Sequence, residues 1–320
     1  MKRVIPNVRV IVLCLLLTIF STRASFSQSI TTGDGKFEVG LGFGPMFFLG
    51  DLGGTAGIGR PFVKDLDFPL TNLSKTLYGS YYPAEWLGFR LALNHGVLKG
   101  NDAEAPNKGG AEVDRLQRNL SFKSSVLEGI LAAEIYPTVF LENYDGLQGK
   151  FRPYGVIGIG YFKMNPKAKD VDGKYVALQP LRLEGQGMAE YPDRKEYKLT
   201  QMEIPMGVGL KYYVSESFYV GVEVLHRKTF TDYMDDVSTG YIDPVHFDTY
   251  LSSYDAARAK RLYYRGTYVT GTSSANIQGF QRGDPTENDA YFSTVLRFGF
   301  RLNSPSDRGA RRQLRCPVFY

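Results

Sequence analysis

The sequence predicts an all-β fold: a membrane-spanning, antiparallel, up-and-down β-barrel of about eight strands with long external loops. Three observations predict it. Successive segments alternate apolar residues with glycine or polar residues at period two, as strands do when their side chains point to opposite faces. The connections between them run long, short, long, medium, long, short, long, and outer-membrane barrels combine an even strand number with short turns at one end and long loops at the other. An apolar leader precedes them all.

That leader reads as a secretory signal peptide over residues 1–27. Lys2, Arg3 and Arg9 form its positive region and Val10–Phe20 its apolar core, which is too short to span a bilayer as a helix. Cleavage after Ala24 or after Ser27 fits equally. Removing the leader takes away Lys2, Arg3, Arg9 and Arg23, so the formal charge of +5 falls by four to +1. A near-neutral mature chain excludes a general electrostatic case for nucleic acid as a partner. Cys14 lies inside the apolar core and only Cys316 remains after cleavage, so no internal disulfide is expected.

The 320 residues suffice for one large β domain or two smaller ones. We assign 28–35 to a short linker, 36–302 to the barrel with long loops at 45–75, 100–118, 165–197 and 232–288, and 303–320 to a basic periplasmic tail. In strand one, Phe37, Val39, Leu41 and Phe43 alternate with Glu38 and glycines. Strand two covers about Thr76–Tyr82 and strand three Trp86–Leu98, with Pro83-Ala84-Glu85 as the turn between them. Strand four, Leu120–Tyr136, is ambiguous, because Leu127, Ile130, Leu131 and Glu134 also suit a helix. Its alternation of Ser125, Leu127, Gly129, Leu131, Ala133 and Ile135 with Glu128 and Glu134 favours the strand.

Strand five is Phe151–Met164. Strands six and seven form a hairpin around Ser215-Glu216-Ser217, with Ile204, Met206, Val208, Leu210 and Tyr212 on one face of the first and Phe218, Val220, Val222 and Val224 on one face of the second. Within the last long loop, Tyr250–Tyr264 reads as a helix. Strand eight is Tyr291–Leu302. Long loops then fall outside the cell outer membrane, both termini fall in the periplasm, and outer-membrane lipids meet the apolar faces.

A barrel of this bore has its interior filled by side chains and is no open porin. Arg90, Glu128, Lys211, Glu223, Arg227 and Arg297 fall on its inward faces, where a lumen charge network of mutually paired side chains is expected. A polar plug explains them more simply than an ion or proton path.

Other motifs have bland explanations. Gly40-Leu41-Gly42-Phe43-Gly44 precedes no helix, so crowding in a narrow barrel accounts for it better than a dinucleotide site. Asp170-Val171-Asp172-Gly173 resembles a calcium loop, but its glycine comes early and Leu181 stands where the bidentate acid belongs. Arg282-Gly283-Asp284 matches an adhesion tripeptide of a length that recurs by chance. Asp232, Asp235 and Asp236 are candidate ligands for a hard cation, although ordering the loop through backbone and arginine hydrogen bonds is the simpler role. His95, His226 and His246 lack a nucleophile context. No enzyme activity and no cofactor are therefore expected.

Several short motifs occur in one order: Phe48-Leu49-Gly50-Asp51-Leu52-Gly53, Arg118-Asn119-Leu120-Ser121-Phe122, Pro153-Tyr154-Gly155-Val156, Asn165-Pro166-Lys167-Ala168, Leu183-Glu184-Gly185-Gln186-Gly187, Ile204-Pro205-Met206-Gly207 and Phe230-Thr231-Asp232-Tyr233-Met234-Asp235-Asp236-Val237-Ser238. From about Phe37 to Phe300 the chain resembles the Bacteroidetes outer-membrane barrel family that includes PorG of the type IX secretion system. Phe48 departs from that pattern, in which tyrosine is expected. The resemblance implies a non-enzymatic structural component that anchors periplasmic ring proteins of the PorK and PorN type. A free-standing structural or adhesive barrel is the alternative. The tail carries Arg308, Arg311, Arg312 and Arg315 against Asp307, a candidate docking segment for a periplasmic partner.

Overall fold

The computed structural model describes residues 35–52, 72–104, 112–140, 151–215, 217–266 and 277–302. Eight antiparallel strands form the barrel: β1 (Lys36–Leu49), β2 (Asn72–Ala84), β3 (Leu87–Asn101), β4 (Ser121–Ile135), β5 (Phe151–Lys163), β8 (Thr200–Tyr213), β9 (Phe218–Thr229) and β10 (Ala290–Arg301). They follow the order β3-β2-β1-β10-β9-β8-β5-β4, and pairing of β3 with β4 closes the ring. Closure removes the free sheet edges that would otherwise invite aggregation. The first and last strands meet along Glu38↔Arg301 to Leu49↔Ala290. Among the described residues no helix is long and apolar enough to cross a membrane; the crossing elements here are strands.

The faces follow the alternation. Leu91, Leu93, Leu127, Leu131, Ile157, Ile159, Val208 and Val222 are exposed on the outside, while Arg90, Glu128, Glu134, Lys211 and Glu223 are buried inside. This inverts the pattern of a water-soluble protein and matches a barrel in lipid. From Leu127 to Ile135, eight rises of roughly 3.3 Å at a tilt of about 40° span about 20 Å, comparable to the apolar band of such barrels. Near the turn end, outward aromatics pair across strands: Phe37 with Tyr81 at 4.7 Å, Phe151 with Tyr212 at 4.7 Å and Phe218 with Phe300 at 4.9 Å. Trp86 faces Phe140 at 5.8 Å, completing an aromatic group at an interfacial depth.

β4 is a strand. Its inward residues Phe122, Val126, Glu128, Ile130, Ala132 and Glu134 are all buried, and Leu127, Leu131 and Ile135 are all exposed, a two-residue period that no helix produces.

The loop boundaries require correction. β1 continues to Leu49 and β2 begins at Asn72, with Pro45 opposite Leu73 and Met46 opposite Asn72, so the first long loop is shorter than 45–75. β3 likewise extends to Asn101. On β3 the pairing continues past outward His95, Lys99 and Asn101, whereas on β1 outward Phe47 and Leu49 prolong the apolar face.

The long connections also carry structure of their own. Helix α1 (Glu112–Arg118) precedes β4, and β6 (Pro166–Lys169) and β7 (Tyr175–Ala177) form a small hairpin whose first strand pairs with β4. Helices α2 (Val245–Tyr250) and α3 (Ser253–Tyr263) lie in the last loop. α3 is the helix expected at Tyr250–Tyr264. It starts where Ser252 Oγ accepts a hydrogen bond from Asp255 N at 3.2 Å, an N-cap. Together these loops bury Leu98, Phe162, Met164, Leu183, Met234, Val237, Ile242, Phe247 and Tyr263 in one cluster. The chain thus has a capped end, where all the long loops leave, and a turn end, where β1 begins and β10 finishes.

Candidate functional site

Two built regions fill the molecule: a charged plug in the lumen and a cap over one mouth. The plug is a consequence of narrow bore. Charged side chains forced inward need partners, and closure supplies them from strands far apart in sequence. Arg90 Nη1 lies 2.7 Å from Glu223 Oε2, and Arg297 Nη1 lies 2.9 Å from the same oxygen. Glu134 takes Arg90 and Arg297 at 3.3 Å each and Lys211 at 3.1 Å. Lys211 also reaches Glu38 at 2.9 Å, and Tyr82 and Tyr136 each donate to Glu134 Oε2 at 2.5 Å.

A second layer sits nearer the cap. Arg227 Nε lies 3.0 Å from Glu128 Oε1, and Tyr291 donates to Glu203 Oε2 at 2.5 Å. The six lumen residues read from the sequence are thus placed inside the barrel, in two groups. Glu38, Glu134 and Glu203 are further members of the network, beyond the six expected. Their signal was present, since each lies on the inward side of an alternating strand.

Between the two layers the inward positions are mostly apolar, with Tyr78 of β2 level with Ile130 and its hydroxyl 2.8 Å from that of Tyr219. Ile130 lies between Glu128 and Glu134 on β4, Leu225 between Glu223 and Arg227 on β9, and Val295 between Ser293 and Arg297 on β10; all three are buried. Packed side chains fill the bore at every level, so the arrangement plugs the barrel.

The cap is where the family-like motifs converge. Arg118 of the first α-helix grips Asp102 at 2.8 and 2.9 Å, donates to the Asp51 carbonyl at 2.6 Å and also donates to the Arg282 carbonyl. Glu184 accepts from Ser238 N at 3.0 Å, Thr239 N at 2.9 Å, Thr239 Oγ1 at 2.7 Å and Arg282 Nη1 at 2.8 Å. Asp235 accepts from Leu52 N at 3.1 Å and Val237 N at 2.9 Å, and Asp236 from Tyr197 Oη at 2.6 Å. Three of the ordered motifs, around Asp51, Glu184 and Asp235, meet here with Arg118.

This placement answers the candidate sites. Asp235 and Asp236 are fully buried and order the loop, while Asp232 is half-buried. No group of three carboxylate, imidazole or thiol ligands among the described residues is arranged to hold a metal ion. Arg282 is buried against Glu184, so Arg282-Gly283-Asp284 does not present its arginine as an adhesion tripeptide. Asp170 is held by Arg261 at 2.7 Å on the β6–β7 turn. His95 lies on the outer face of β3 beside Ser125 Oγ at 3.2 Å, His226 on β9, and His246 in the cap 3.6 Å from Glu190. Arg308, Arg311, Arg312 and Arg315 lie outside the described residues.

Burial acts strongly on the cap carboxyls. Desolvation pushes Asp51 up to about 6, Asp236 to about 7 and Asp232 to about 8. Asp235 and Asp289 are raised well above the usual carboxylate range, by burial first and by neighbouring carboxylates next.

Solved structures similar to this chain are outer-membrane or surface proteins. Ail, the attachment invasion locus protein of Yersinia pestis in complex with the heparin analogue sucrose octasulfate, is 8% identical with a TM-score of 0.34, over 85% of this chain and 100% of that one. Neisserial surface protein A is 8% identical with a TM-score of 0.36, over 84% and 99%. OprG of Pseudomonas aeruginosa is 14% identical with a TM-score of 0.33, over 85% and 97%. The strand pairings above, not these likenesses, carry the fold assignment. No curated protein matches the chain. The model of the family described as a domain of unknown function, DUF6089, matches residues 12–253, and the chain belongs to that family.

Proposed function

We propose that this chain is a non-enzymatic barrel of the cell outer membrane that serves as a structural component of the type IX protein secretion machinery. In this reading the cap faces outward, both termini are periplasmic, and the turn end with its basic tail anchors periplasmic ring proteins of the PorK and PorN type. The observation that supports a structural role most strongly is the filled lumen, whose charged side chains are buried and paired with one another. A barrel that conducts nothing acts through its surfaces. The secretion assignment is supported by the ordered motifs from Phe48 to Ser238.

Affinity purification of the tagged full chain from native membranes tests this. Ring lipoproteins should co-purify, and deletion of residues 303–320 should weaken the association while the barrel remains heat-modifiable. A clean preparation without ring proteins would overturn the secretion role. The second reading, a free-standing structural or adhesive barrel, is favoured by one observation: the motifs around Asp51, Arg118, Glu184 and Asp235 meet in the outward cap.

A further inference from the structure

The turn end of the barrel opens into a shallow cleft whose walls include Lys36, Arg152 and Arg301, the carboxylates Glu38 and Glu85, and Tyr213. Its ion pairs differ from those deeper in the lumen. Inside, the closest contacts of Arg90, Lys211 and Arg297 to carboxylates measure 2.7, 2.9 and 2.9 Å. At the cleft they lengthen: Arg301 Nη2 stands 3.5 Å from Glu38 Oε1, and Lys36 Nζ stands 3.7 Å from Glu85 Oε1. Both are at or beyond the limit of a hydrogen bond. Arg152 has no carboxylate partner among the described residues; its guanidinium stands 5.9 Å from the ring centre of Tyr213. Arg301 stacks over the same ring at 4.9 Å, and its buried Nε finds no acceptor.

Charge counting gives the same result. Over the turn-end half of the lumen, Lys36, Arg90, Arg152, Lys211, Arg297 and Arg301 face Glu38, Glu85, Glu134 and Glu223. Six cations against four carboxylates leave two positive charges without a counterion among the described residues. At the cleft Arg152 has no carboxylate among the described residues, and Lys36 and Arg301 hold theirs only at the longer distances. Partly desolvated guanidinium groups without a carboxylate favour an oxyanion, which their fork-shaped donors bind bidentately. The tyrosine ring holds both arginines in place by cation–π contact.

The geometry points to an oxyanion-binding site at the turn end, in which Lys36, Arg152 and Arg301 take one phosphate-sized dianion. The enclosed part of the cleft is water-sized, so the anion sits at its open mouth. A phospholipid headgroup at the membrane interface and a soluble phosphate share this chemistry, and the two are separated by experiment. Which compartment the cleft faces follows from the proposed topology; the binding does not.

The test uses the full chain, refolded in maltoside micelles that contain no phosphate and observed through its arginine Nε–H resonances. Inorganic phosphate forms one titration and short-chain phosphatidylglycerol the other. Saturable shifts at Arg152 and Arg301 are expected. Saturation by phosphate alone identifies a soluble ligand, and saturation by the lipid only identifies a headgroup. Arg152→Gln should weaken binding at least tenfold and stay heat-modifiable, because Arg152 holds no carboxylate in the folded barrel. Arg182→Gln in the cap should leave binding unchanged. Absence of saturable shifts with both ligands, or equal binding by a folded Arg152→Gln, overturns the site. Either failure leaves the topology standing, since that is read separately from the labelling of cleft residues in intact cells.

Discussion

Lys211 and Glu134 meet inside the barrel, Nζ to Oε2 at 3.1 Å, although 77 residues separate them in the chain. β4 and β8 both flank β5 in the sheet, so the pair reaches across one strand on the lumen face. Removing one member of a buried pair strands the other without compensation. Lys211→Met, which keeps length but not charge, leaves Glu38 and Glu134 short of a cation. We predict a loss of roughly 3–5 kcal/mol, measured by urea unfolding in micelles. An unchanged midpoint would mean that the pair is not buried.

The narrow bore makes a second prediction at Gly40. A Cβ there would run into the Tyr78 hydroxyl and the Phe298 carbonyl on either side. Gly40→Val should prevent closure, seen as loss of the fast-migrating band on unboiled gels. Retention of that band would show that the wall has more room than this packing allows.

Cap and barrel should separate under mutation. Glu184 holds two backbone amides, a threonine hydroxyl and Arg282, all within the cap. Glu184→Ala should open the cap to protease between residues 184 and 266 and leave heat-modifiability intact. Joint loss of both properties would show that the cap is needed for the barrel to form.

The cap should loosen as pH rises. Asp51, Asp236 and Asp232 have folded-state values near 6, 7 and 8, raised by burial from an ordinary 3.8. A raised acid binds its proton more tightly folded than unfolded, so stability falls as pH climbs from the ordinary value through the folded one. Amide exchange in the cap should accelerate between pH 6 and 8, and Asp232→Asn should flatten the upper part of that change. Slower exchange over the same window would contradict the buried carboxyls.

What was legible in the sequence was local. Period-two alternation marked every barrel strand and its outward face, including the hairpin at Ile204 to Arg227, because lipid and lumen make opposite demands on successive residues. The six lumen charges could be named for the same reason. Glu134 was visible as an inward residue, but its role as a shared anion depends on three other strands. The cap was not legible. Leu52 N to Asp235 Oδ2 joins residues 183 apart and Asp284 N to Asp51 Oδ2 residues 233 apart, and contacts at such separations leave no period along the chain. Only α3, with its Ser252 cap, announced itself there.

The central claim is a barrel held in lipid by an outward apolar face, and one measurement addresses it directly. Native membranes are washed with alkaline carbonate, and the retained chain is run on a gel with and without boiling. The account predicts retention in the membrane pellet and a faster band before boiling than after. Release into the carbonate supernatant, with one mobility under both conditions, would contradict it.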